Sequence, residues 1–96
     1  MSFSCLQLPK AQKEILEAWE WYEDKQSGLG DRFKQFLFRK IESISENPSY
    51  YPLKGKYHEA LVDDFPFLII YKIVGQTKEI LIISVFHTSR HPNKKF

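Results

Sequence analysis

His87, Arg90, His91, Lys94 and Lys95 crowd the last ten residues of the chain, directly after an apolar run that stops at Phe86. Arg90 is the strongest phosphate anchor among them, because its planar guanidinium binds two oxygens at once. His87 and His91 exchange protons near neutral pH. Lys54 and Lys56, on either side of Gly55, add cations on a glycine-hinged loop that reach toward the same cleft. Metal-free RNA cleavage uses such a set: a base for the 2′-hydroxyl, an acid for the leaving oxygen and cations on the phosphate. The same cations also suit recognition of an acidic partner without catalysis.

Each residue has a structural alternative. Arg90 closes the strand end or pairs with Glu59 or Asp63. His87, at a strand terminus, serves as a hydrogen-bonded structural histidine. His91-Pro92 forms a turn, and Lys94 and Lys95 form a solvated tail. His58, His87 and His91 show no ligand spacing backed by cysteine, so no metal site is expected. No phosphate-cradling glycine loop or nucleophile elbow is present, and no cofactor is implied. The lone cysteine, Cys5, excludes an intramolecular disulfide and reads as a small buried apolar residue.

The elements that position these groups follow from periodicity. Ser2 to Leu8 alternates loosely and stops at Pro9, as a short strand does. Ala11, Ile15, Ala18, Trp19 and Tyr22 form one face of a helix that begins near Pro9. Ser27-Gly28-Leu29-Gly30 breaks it. A second helix starts between Leu29 and Asp31, carries Phe33, Leu37, Ile41 and Ile44 as its stripe, and ends by Asn47 before Pro48. So short a connection predicts an antiparallel helical hairpin. An irregular stretch through Tyr50-Tyr51-Pro52 and Lys54-Gly55-Lys56 follows.

Three strands are then predicted: Tyr57–Val62, Phe65–Val74 and Glu79–Phe86, the last two joined through Gly75-Gln76-Thr77-Lys78. Phe65, Phe67, Ile69, Tyr71 and Ile73 share one face, while Leu68, Ile70 and Val74 share the other. A strand apolar on both faces belongs in the middle of its sheet. Asp63-Asp64 reads as a turn. The order β-α-α-β-β-β gives an α+β domain, a helical hairpin on a mostly antiparallel four-stranded sheet, spanning residues 1–96 as one unit. Two aromatics leave the stripes: Trp21 lies roughly 110° and Phe38 roughly 120° from the stripe centres. Each is half buried at a seam, or the two form a partner-binding patch.

Composition sets the outer limits. Ninety-six residues, 43% hydrophobic and 16% aromatic, build a core without staples. The net charge of +2 is too small to indicate nucleic-acid binding. Residues 1–53 carry 7 basic and 8 acidic side chains, whereas residues 54–96 carry 7 and 4, so any electrostatic role belongs to the second half. No apolar run approaches membrane-spanning length and no signal pattern opens the chain, which leads us to expect a cytoplasmic protein with no membrane partner.

The step GLGDRF into the second helix, the exit ENPSYYP, the strand FPFLIIYKI and the ending ISVFHTSRHP, in this order, resemble the RelE/ParE superfamily of bacterial type II toxins. The resemblance spans almost the whole chain. It implies a toxin neutralised by a cognate antitoxin, with DNA contacted only through that antitoxin. It also implies either of two targets, DNA gyrase or the ribosome and its mRNA. The endonuclease members usually carry Lys or Arg along the strand before the central one, including an arginine near its end. Here that stretch reads Tyr57-His58-Glu59-Ala60-Leu61-Val62-Asp63-Asp64, without Lys or Arg, and a tail tyrosine after Arg90 is missing. We therefore expect a ParE-like, plasmid-stabilisation type of toxin that inhibits growth by binding its target. Arg90, Lys54, Lys56, Lys94 and Lys95 are the target- or phosphate-binding residues, and Trp21 and Phe38 contact a partner. A RelE-type endoribonuclease using Arg90, His87 or His91, and a non-toxic member acting only in an antitoxin complex, are the alternatives.

Overall fold

The computed structural model describes residues 2–89. Arg90, His91, Lys94 and Lys95 therefore lie outside the described residues. Strand β1 (Ser4–Gln7) gives way at Pro9 to helix α1 (Pro9–Lys25), and α2 (Leu29–Glu46) returns antiparallel beside it. The predicted stripes are the buried faces: Ala11, Ile15, Ala18 and Tyr22 on α1, and Phe33, Leu37, Ile41 and Ile44 on α2. Trp19, at the margin of the first stripe, is half buried.

The connection between the helices has a definite chemistry. Gly28 takes φ 88°, a left-handed conformation that glycine adopts without strain. The first N–H groups of α2 have no intrahelical partner, and Glu23 of α1 reaches across to satisfy them. Its carboxylate accepts from Gly30 N at 2.8 Å and Gly28 N at 3.2 Å. A carboxylate at a helix N-terminus also opposes the helix dipole favourably. Trp19 Nε1 donates to Asp31 Oδ1 at 2.9 Å, and Gly30 leaves room for the Trp19 carbonyl, which a Cβ there would approach to 2.7 Å. The segment Gly28–Asp31 thus fastens one helix to the other.

At the far end of α2, Pro48 stops the helix and its carbonyl accepts from the buried Tyr71 hydroxyl at 2.7 Å. Burial pushes the Tyr71 phenol well above its ordinary value, with the Tyr51 phenol a smaller contributor. The chain then enters a sheet of five strands, one more than expected. The added strand is β2 (Leu53–Lys54), which pairs with β3 (Tyr57–Leu61) through a tight turn containing Gly55 at φ 66°. Strand β2 has only two residues, too few to show an alternation in the sequence. Strands β4 (Phe67–Val74) and β5 (Glu79–His87) complete the order β1-β5-β4-β3-β2, with β1 parallel to β5 and the other pairs antiparallel.

The predicted central strand is indeed in the middle, although Phe65-Pro66 belongs to the preceding turn. Phe65, Phe67, Ile69 and Tyr71 join the helix-side core, and Phe33 lies within 5.0–5.4 Å of Tyr22, Phe65 and Phe67. Such tilted and edge-on aromatic pairs contribute about 0.5–1.5 kcal/mol each beyond area burial. Cys5 packs against the same core, and burial raises its thiol pKa. Along β4–β5 the register passes from Ile70↔Ser84 to Tyr71↔Ile82, leaving Ile83 as the extra residue of a β-bulge. Beyond the end of β1 the edge of β5 is closed by a side chain: Glu14 Oε1 accepts from Val85 N at 3.0 Å and from Ser84 Oγ at 2.8 Å.

Candidate functional site

Lys54 sits on β2 with its side chain 64% exposed, and Lys56 is exposed in the β2–β3 turn. The Lys54 ammonium lies 3.8 Å from Glu59 Oε1, whose side chain is only 6% exposed. Lys54 is therefore shared with a carboxylate before any ligand arrives. Asp63 faces Lys40 at 3.5 Å, and Asp64, at φ 66°, faces Arg32 at 3.9 Å. Glu59 and Asp63, the carboxylates suggested as partners for Arg90, thus both have lysine partners among the described residues.

His87 pairs across the sheet with Phe67, and its ring meets the Phe67 ring edge-on at 5.0 Å, on the core-facing side. Its Nδ1 accepts a hydrogen bond from Ser89 N–H at 3.1 Å, which turns the chain out of β5. His58 also faces the core, stacked on Tyr71 with ring centroids 5.1 Å apart and its Nδ1 2.8 Å from the Tyr51 carbonyl. Rows of paired residues measure how far His87 is from the lysines. His87 lies in the row Phe67–Val62, Lys54 in the row Tyr57–Lys72, five residues along the strands and three strands across. At about 3.3 Å per residue and 4.8 Å per strand, their backbones are ~20 Å apart. The structure does not bring His87 and Lys54 to one phosphate.

Trp21 and Phe38 are exposed, on different flanks of the helical hairpin. Gly30 and Lys34, which approach Trp19, lie on the same side of α2 as Phe38, whereas Trp21 is some 160° around α1 from Trp19. Phe38 therefore lies on the flank of α2 that faces Trp19. Trp21 lies on the outer flank of α1, edge-on to Tyr22 and 4.9 Å beneath the Lys25 ammonium.

What the sequence reading missed is a cleft of about 550 Å³ beside β3. Lys40 of α2, Tyr50, Tyr51, Pro52, Lys54, Glu59 and Asp63 line it, with Lys40 paired to Asp63 and Lys54 to Glu59. Leu61 and Leu68 line it as well, paired across β3 and β4 on the face of the sheet turned away from the helices. Leu61 is 57% exposed and Tyr50 73% exposed. The available signal was Ala60-Leu61-Val62, an apolar run in which Ala60 and Val62 fill the core and Leu61 must point outward. Among the described residues no three His, Cys, Asp or Glu side chains converge as metal ligands, and no helix is long and apolar enough to cross a membrane.

A fold of this kind invites comparison with known structures. The chromosomal ParDE toxin–antitoxin system of P. aeruginosa superposes with TM-score 0.77 at 14% identity, over 90% of this chain and 96% of that one. A mutant of the E. coli toxin RelE in the free state gives TM-score 0.71 at 17% identity, over 93% and 86% of the two chains. The intact E. coli RelBE toxin–antitoxin complex gives 0.67 at 16% identity, over 93% and 100%. At these identities the likeness establishes the fold. No curated protein sequence matches the chain. The family described as the ParE toxin of the type II toxin–antitoxin system parDE matches residues 6–92. The chain belongs to the ParE family of type II toxin–antitoxin toxins.

Proposed function

We propose that this toxin arrests growth by binding an intracellular target of the DNA gyrase type, in the cytoplasm, and that a cognate antitoxin encoded beside it neutralises it. The observation that carries this reading is the make-up of the sheet face beside Lys54. A phosphoryl-transfer site concentrates cations where charge develops. Here the positions in question hold Glu59, buried and 3.8 Å from Lys54, and then the apolar pair Leu61 and Leu68. A phosphate entering there would meet a fixed negative charge and a surface that cannot solvate it. His87, the described candidate for proton transfer, is ~20 Å from Lys54 and faces the core.

In this reading Arg90, with Lys54, Lys56, Lys94 and Lys95, makes the contact with the target or with an acidic antitoxin segment, and DNA is reached only through the antitoxin. Trp21 and Phe38 serve as separate apolar contacts for the antitoxin. Plasmid stabilisation follows if the pair is plasmid-borne. Induction of the chain without its antitoxin is the test. Growth arrest with intact mRNA and gyrase-dependent DNA breaks is the expected outcome. Codon-phased mRNA cuts would replace it with the endonuclease reading, and unaffected growth would leave a non-toxic regulatory partner. Arg90→Ala is expected to relieve the arrest while keeping a cooperative melt; loss of that melt would make Arg90 structural.

A further inference from the structure

We infer that Glu59 sets the ligand class of the cleft beside β3: its buried carboxylate excludes phosphodiester strands, and one neutral substitution there opens the cleft to them. The inference rests on the reading of this face as a surface that takes no phosphate, and it names the residue responsible.

Position sets Glu59 apart from the other acid of the cleft. It lies on β3 opposite Ile70 of β4, which is fully buried, and its backbone N–H donates to Pro52 O at 3.0 Å. Leu61, two residues along the strand, projects from the same face. The Glu59 carboxylate is therefore enclosed by the sheet and cannot swing away from an incoming anion. Asp63 also lines the cleft, but it sits on a turn with its side chain 68% exposed. Water and salt screen that charge, and the side chain can rotate out. A charge sheltered from water acts far more strongly over the same distance.

The cations complete the argument. With its ammonium 3.8 Å from Glu59 Oε1, Lys54 already has a counter-anion, which a phosphate would have to displace although it has nowhere to go. Lys40 stands 5.6 Å from the Tyr51 ring centroid and 3.5 Å from Asp63. Neutralising residue 59 leaves Lys40 and Lys54 lining one cleft against a single exposed acid. Tyr50 and Tyr51 beside them then supply stacking surfaces, and cations with aromatic rings are what a single nucleic acid strand binds. Such a strand carries a charge on every nucleotide, so it cannot lie along the cleft without setting a phosphate near Glu59. A protein partner places its charges singly and can leave that spot neutral. Stability does not require glutamate there, because a buried ion pair is often no better than an apolar side chain of similar volume. Discrimination between ligands gives the carboxylate a use.

The test is an amide-resolved NMR titration of the full ¹⁵N-labelled chain with an eight-residue oligouridylate. Wild type is compared with Glu59→Gln, Glu59→Asp and Asp63→Asn. The wild type is expected to show no saturable shifts at Lys54, Glu59 or Leu61 at millimolar RNA. Glu59→Gln should show them, with affinity at least tenfold tighter and weakened by salt. Glu59→Asp keeps the charge and should behave as the wild type. Asp63→Asn makes the same change in net charge within the same cleft and should gain less than threefold. Glu59→Met fills the buried site without a carboxylate and carries the expectation for Glu59→Gln should that variant not fold. Equal affinity of the neutral variant and the wild type would overturn the inference, as would a tenfold gain in Glu59→Asp or in Asp63→Asn. Saturable binding in the wild-type cleft would overturn the no-phosphate reading along with it, so the two failures are told apart.

Discussion

Gly30→Ala sets a helix-propensity gain against a steric loss. Gly30 lies in the first turn of α2 and its φ is not left-handed, so alanine needs no unusual backbone there. Propensity alone then predicts stabilisation of up to about 1 kcal/mol. The added Cβ, however, would lie 2.7 Å from the Trp19 carbonyl oxygen and 2.8 Å from Trp19 Cδ1. A backbone oxygen inside a helix cannot swing aside, so the hairpin must spread. Spreading also loosens the Glu23 carboxylate from Gly30 N–H and Trp19 Nε1 from Asp31. Overpacking of this kind costs roughly 1–3 kcal/mol, and weakening a charge-assisted hydrogen bond adds roughly 1 kcal/mol. The steric side wins by about 1–3 kcal/mol, which for a chain of this size lowers the melting temperature by roughly 5–20 °C. Thermal unfolding followed by circular dichroism is the assay. Gly75→Ala, with nothing within 4 Å of its Cβ, is the control. An unchanged or raised melting temperature in Gly30→Ala would refute the steric argument and the fastening role of the Gly28–Asp31 segment.

Other consequences are smaller but as definite. Tyr71→Phe strands the Pro48 carbonyl and is expected to cost about 1–2 kcal/mol in denaturant titrations. Tyr71 also gives the wild type an alkaline dependence. Its folded pKa is raised, so its contribution is complete below the ordinary phenol value near 10 and fades as pH rises beyond it. Stability should therefore fall above pH ~10 in the wild type and fall less steeply in Tyr71→Phe; parallel curves would refute the assignment. Glu14→Ala removes the acceptor for Val85 N–H at the end of β1 and should cost about 1–3 kcal/mol. Faster hydrogen exchange at Val85 than at Ile82 in that variant is the confirming readout.

Long periodic segments were legible from sequence, because burial dictates them. The stripes Ala11-Ile15-Ala18-Tyr22 and Phe33-Leu37-Ile41-Ile44 are the buried faces of the helices, and the two-sided apolar run after Phe67 is the middle strand. What escaped was set by tertiary contacts with no sequence period. Strand β2 exists because Gly55 turns the chain so that two residues pair with β3. The bulge at Ile83 shifts register inside a strand whose composition is uniform. At the site, residue types were visible but their separation was not. Nothing local says that His87 faces the core while Lys54 lies ~20 Å away across the sheet.

That separation also bears on what the basic residues can do. Catalysis needs cations and a proton carrier within a few ångströms of one phosphate, because a site loosened by 1 Å already loses rate. Recognition tolerates dispersed charge, since each exposed cation acts over roughly a Debye length of 8–10 Å. Lys54 and Lys56 at the mouth of an apolar-floored cleft, with Glu59 fixed beneath them, satisfy the second requirement. Salt dependence then separates the two uses. Raising ionic strength from 0.05 to 0.5 M should weaken partner capture chiefly through slower association, because screening acts on exposed charges. Apolar contacts are not screened by salt, so dissociation should stay nearly unchanged. Surface plasmon resonance with immobilised antitoxin resolves the two rates. A salt effect confined to dissociation would mean that the lysines form desolvated pairs with the partner instead of screened, exposed ones.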